Sequence, residues 1–153
     1  MYQRPSQSKL GNKMTILIKG LSLEMGKKMA DAAEAKAIEK GIKIAIAIMD
    51  SHGNLKYYRR MDGNGFVSVR MSQLKAHTSA SMPISTKDLA KRNEGMSNGP
   101  YLAVPGIVLL EGGLPIITND GQHIGSIGIS GATPELDGLC AQAGMDTIKD
   151  MLD

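Results

Sequence analysis

The sequence predicts a mixed α/β domain of the α+β type, with helices segregated around a five-stranded, mainly antiparallel sheet. Three observations carry that prediction. Periodic segments follow the order αββααβββα, and tight turns rather than helical crossovers join successive strands. The run Ile44-Ala-Ile-Ala-Ile-Met49 is apolar on both faces, as a central strand covered on both sides must be. A chain of 153 residues fits one domain, large enough to bury roughly 70% of its unfolded surface. That domain is assigned to residues 15–153, behind a polar stretch, 1–14, that reads as a disordered leader or an added extension, with Met14 a possible start.

Ser22 is placed to cap a first helix that runs to about Lys40, where Gly41 stops it. Gly26, Ala30, Ala33 and Ala37 share one face, so this helix can approach a sheet closely. The central strand follows, then Ser51-His-Gly-Asn54 as a turn and Leu55–Arg60 as a more exposed returning strand. Val67, Met71, Leu74 and Thr78 mark one face of a second helix, with Arg70, Gln73 and His77 on another face. Pro83 ends it, and Ser85-Thr86 cap a short third helix through about Arg92. Glu94–Pro100 reads as a loop and candidate lid. Ile107–Leu110, Leu114–Thr118 and His123–Ser130 are the last three strands, with Asn119-Asp-Gly121 turning the final hairpin. Pro134–Leu152 closes the chain as a helix.

Composition excludes several functions. A net charge of +3 with interspersed signs gives no nucleic-acid footprint, and the absence of Trp with a single Phe removes most stacking platforms. No apolar run approaches the ~20 residues of a membrane span, and the leader lacks a signal-peptide centre; a cytoplasmic protein is expected. The one cysteine, Cys140, cannot form an intramolecular disulfide and is expected to be a buried, inert thiol. Eleven methionines fill much of the core and suit irregular ligands as well as irregular gaps. The three histidines, 52, 77 and 123, lack zinc-type spacing, so no metal site is assigned from spacing. Gly128-Ile-Ser-Gly-Ala132 fails the G-x-S-x-G pattern of a nucleophile elbow, and no phosphate-binding loop is present.

The chemistry gathers in the last third. Ser130-Gly-Ala-Thr133 leaves backbone N–H groups unhindered before a helix that Thr133 caps and Pro134 opens, while Glu135 and Asp137 complement its positive end. An ordinary strand-to-helix turn has these features; so does a seat for a ligand carboxylate or propionate. Arg60 and Asp62 flank Met61 after the second strand, either as a surface ion pair of little energetic value or as a guanidinium clamp on a carboxylate.

Several motifs in one order resemble the GlcG/HbpS-type haem-binding family, whose domain also forms the C-terminal part of PduO-type cobalamin adenosyltransferases. They are Asp50-Ser-His-Gly-Asn-Leu55, Arg60-Met-Asp-Gly63, Lys75-Ala-His-Thr78, Pro83, Gly112-Gly-Leu-Pro-Ile116, Ile124-Gly-Ser-Ile-Gly-Ile-Ser-Gly-Ala-Thr-Pro-Glu-Leu-Asp137 and Ala141-Gln-Ala-Gly144. The resemblance covers roughly residues 21–152. It implies a profilin-like three-layer α/β/α domain, a small-molecule ligand that is haem or a related tetrapyrrole, and a homo-oligomer built from dimers. Adenosyl transfer belongs to a different domain of the PduO-type proteins and is not implied. The expected ligand site lies between Ser130–Thr133, the Gly113–Pro115 strand start and the second helix; its residues are Arg60, Asp62, Lys75, His77, Gly113, Pro115, Ser130, Gly131, Thr133 and Asp137. His77 fills the variable position of the family's Lys-Ala-x-Thr motif and is the candidate haem-iron ligand, with Lys75 or Arg60 pairing with a propionate. The alternative is an enzyme or accessory factor that holds a small organic acid through Arg60 and Lys75.

Overall fold

A computed structural model describes residues 15–153; the polar leader lies outside the described residues. The Ser22 hydroxyl accepts from Met25 N at 3.1 Å and opens α1 (Leu23–Glu39), which ends before Gly41 at φ +67°. β1 (Ala45–Asp50) and β2 (Leu55–Arg60) form a hairpin. Its turn is held by Asp50, whose Oδ1 accepts from His52 N and Asn54 N, and by Gly53 at φ +79°. These backbone bonds to a carboxylate favour its charged form, and the Asp50 carboxyl is held below its ordinary value despite partial burial. α2 (Phe66–Ser81) and α3 (Thr86–Glu94) precede β3 (Gly113–Ile117), β4 (His123–Ser130) and α4 (Pro134–Asp146).

The described sheet has four strands, all antiparallel, in the order β2-β1-β4-β3. The expected fifth strand, Ile107–Leu110, does not form. Pro105 and Gly106, the latter at φ +84°, turn the chain just before it. The segment then runs along α2, where Val108 N donates to Thr78 Oγ1 at 2.9 Å instead of to a strand. The last helix also stops short, at Asp146, because Ile148 and Leu152 turn back into the core and Leu152 O accepts from Asn119 N.

β1 shows why three layers form. Ile44, Ile46 and Ile48 join Ile127, Ile129, Met29 and Cys140 in the core beneath α1 and α4. Ala47 and Met49 point the other way and meet Ala76 of α2. On that side only Thr78 of the row Val67, Met71, Leu74 and Thr78 is buried. Val67 is 63% exposed, and the buried positions are Ser68, Ser72, Lys75, Ala76, Thr78, Ser79 and Ala80. Sheet glycines explain the difference: a Cβ on Gly128 would stand 2.1 Å from Ser72 O and 2.4 Å from Ala76 N. The helix backbone rests almost directly on the sheet, so only small side chains fit between them. At the β3 edge, Gly113 N donates outward to Thr86 Oγ1 at 3.0 Å, and Pro115, two residues on, has no N–H to offer. Among the described residues no helix is long and apolar enough to cross a membrane.

Candidate functional site

The closeness of α2 to the sheet buries an ion pair. Lys75 and Asp137 are each 2% exposed, and Lys75 Nζ lies 2.9 Å from Asp137 Oδ2 while donating to Ile129 O at 3.0 Å. Asp137 Oδ1 accepts from Ala132 N at 3.0 Å. Burial pushes the Asp137 carboxyl up; the Lys75 ammonium and the Ala132 N–H pull it back without cancelling that rise. The pair ties α2, the end of β4 and the start of α4 together. Lys75 Nζ is therefore paired with Asp137, where the sequence leads one to expect a ligand carboxylate.

The glycine turn is likewise filled by the protein itself. A Cβ on Gly131 would lie 2.1 Å from Lys43 O and 2.9 Å from Asn64 Nδ2. The close approach that glycine permits here is to the chain entering β1. Thr133 caps α4 as expected, its hydroxyl accepting from Leu136 N at 3.3 Å. Ser130, in the last position of β4, pairs with Ala45. Gly113 is packed against α2 and α3, where a Cβ would stand 2.5 Å from Lys75 O, and Pro115 sits on the β3 edge opposite Ser126.

Arg60 and Asp62 do not pair with each other. Both are exposed, and Arg60 Nη2 donates to Asn64 O at 2.8 Å. Asn64 is the residue that sequence reasoning missed. It is buried, its Nδ2 donates to Lys43 O at 3.0 Å, and its Oδ1 has no partner among the described residues. Its signal was the Asp62-Gly-Asn64 turn, with Gly63 at φ +76°.

His77 lies apart from all of these. Two residues along a helix are separated by about 200°, so the burial of Lys75 turns His77 outward, and it is exposed. Its imidazole is framed by two glycines of positive φ. A Cβ on Gly53 would stand 3.5 Å from Nδ1, and one on Gly106 would stand 3.5 Å from Nε2. The chain before Gly106 presents exposed Leu102 and Val104. Arg60 is at the far end of β2 from the Gly53 turn. The expected site thus divides: Lys75, Asp137, Ser130, Gly131, Thr133 and Gly113 gather at one end of the sheet, with Arg60 reaching them through Asn64, and His77 stands at the other. Cys140 is buried, and its thiol is pushed up to about 11 by desolvation and by Asp137; it is an inert thiol, as its neighbours in sequence imply.

A four-stranded antiparallel sheet between two helical layers, with α2 pressed onto sheet glycines, defines a small three-layer α/β domain. Residues 21–146 match the family described as haem degrading protein HbpS-like, and the chain belongs to that family. A curated relative from Citrobacter freundii, an uncharacterized 15.0 kDa protein of the dhaT-dhaS intergenic region, is 33% identical over 134 residues, 86% of this chain and 94% of that protein. Among solved structures, a variant of HbpS from Streptomyces reticuli is 31% identical with a TM-score of 0.81, covering 97% of this chain and 99% of its own. A PduOC–haem complex is 28% identical with a TM-score of 0.78, covering 85% of this chain and 96% of its own.

Proposed function

We propose that this protein binds haem or a related tetrapyrrole, with His77 as the iron ligand. The observation that carries the reading is the exposed imidazole of His77, flanked at Nδ1 by Gly53 and at Nε2 by Gly106. A neutral imidazole is a common axial donor to haem iron, and the exposed Leu102 and Val104 nearby give the macrocycle an apolar surface. The haem complex of a similar domain supports the same ligand class. When bound, the haem supplies the redox and dioxygen chemistry of its iron; the chain supplies the donor and the wall around it. The alternative, a clamp for a small organic acid, loses Lys75 to Asp137.

Haem titration of the parent and of His77→Ala, His52→Ala and His123→Ala tests the reading. The parent, His52→Ala and His123→Ala should share one displaced Soret band, and His77→Ala should lose or shift it with its folded stability unchanged. Four identical spectra would remove His77 from the site, and no Soret displacement in the parent would remove haem. A homo-oligomer is proposed as well, supported by exposed Phe66, Val67, Leu102, Val104 and Leu110. Light scattering at micromolar concentration should give a multiple of the chain mass; the mass of a single chain would refute it.

A further inference from the structure

A second place on the molecule has the features of a binding site and owes nothing to the haem reading. A cleft of about 310 Å³ opens between the start of α3, the approach to β3 and the outer face of α4. That volume is at the small end of ligand clefts. One wall carries Lys87 and Glu111, with Nζ and Oε1 3.1 Å apart and side chains 51% and 23% exposed. The other is apolar, formed by Leu114 and by Leu139, which is 50% exposed. Gly138 makes the room. It interrupts the interior of α4, where glycine is a poor helix former, and a Cβ there would stand 2.5 Å from Glu111 Oε1 and 2.8 Å from its Cγ. Glycine at 138 therefore lets the Glu111 side chain lie flat against the helix and keeps its carboxylate in the cleft.

We infer that this cleft binds a small zwitterion, an α-amino acid with an apolar side chain. Lys87 and Glu111 neutralise each other through one short contact, an exposed pair of the kind that contributes little. A ligand that carries an ammonium and a carboxylate replaces that one pair with two charge-assisted ones: its ammonium donates to Glu111, and its carboxylate accepts from Lys87. The Ser85 hydroxyl, whose oxygen already accepts from Asp88 N at 3.0 Å, still has its own proton to donate to the same carboxylate. The side chain of the ligand then covers Leu114 and Leu139. A free acid or a free amine satisfies only one of the two charges and leaves the other without its partner.

Calorimetry with L-leucine, N-acetyl-L-leucine and L-leucinamide tests this on the intact chain. Leucine should bind saturably, and each blocked form should bind at least tenfold more weakly. Glu111→Gln should weaken leucine at least tenfold and abolish the preference for leucine over N-acetyl-leucine. Lys87→Met should do the same against leucinamide, and because Lys87 is half-exposed this variant keeps the test valid if Glu111→Gln folds poorly. Haem titration should be unchanged in both variants. No heat with leucine at millimolar concentration, equal binding of the three compounds, or leucine affinity untouched by both substitutions would overturn the proposal.

Discussion

Lys75 and His77 stand two residues apart on α2 and have opposite fates. Lys75 is driven into the narrow space between helix and sheet, where Asp137 and the Ile129 carbonyl take up its charge and two of its protons. His77 is turned to the surface between two glycine turns. The first has its charge taken up within the protein; the second is exposed. A charged residue in a family motif is thus not a ligand residue by virtue of its charge; the distance between helix and sheet decides. Here that distance is set by Gly128, on a strand distant in sequence from both residues.

The sharpest way to break the contrast is to remove one member of the buried pair. Lys75→Met or Asp137→Asn should each destabilise the fold by about 3–5 kcal/mol, because the remaining group is left buried without its partner. The double variant should lie closer to the parent than the sum of the two singles; denaturant midpoints measure all three, and simple additivity would show that the pair is not coupled. Next in size is Gly128→Ala, which drives a methyl into Ser72 O and the Ala76 amide. Lifting α2 should cost about 1–3 kcal/mol and should disturb His77 and Lys75 together, so stability and the Soret band should change in the same variant. The smallest effect belongs to an exposed residue in the β3–β4 turn. Thr118, then Lys19, holds the exposed Asp120 carboxyl down to about 2, below its ordinary 3.8. Its folded value being the lower, its stabilisation is complete above pH 3.8 and is lost as the pH falls towards 2. Asp120→Asn should therefore lower stability slightly at pH 7, leave it unchanged below about pH 2 and flatten the acid profile between the two; an unaltered acid profile would refute the assignment.

What the sequence made legible was local. The Ser22 and Thr133 caps, the Asp50–Asn54 turn and the two-sided apolar β1 depend on neighbours within a few residues, and each formed where it was expected. What it hid was long-range. Ile107–Leu110 has the apolar content of a strand, but its backbone finds Thr78 on α2 before it finds a sheet edge. Large apolar residues do not mark the buried face of α2. The informative pattern was Ser68, Ser72, Lys75 and Ser79, a helical stripe of small residues with one lysine that has to be paired. The partner of that lysine is 62 residues away, and no local spacing announces it. Glu111 and Lys87 escaped notice for the same reason, although a glycine at 138 inside a strong helical pattern was a visible sign that something lies against that helix.

The bond from Gly113 to Thr86, with Pro115 two residues later, also gives the sheet a direction. On the β3 side a further strand would find its first donor already occupied and its second missing, so the ladder is chemically terminated there. β2 is the other margin, and its Lys56, Arg59 and Arg60 put positive charge along the incoming path. Arg59 is already answered by Asp31 and Glu34 of α1. The remaining charges repel a second copy of the same strand, so neither margin invites uncontrolled sheet growth: one is closed by stereochemistry, the other by charge.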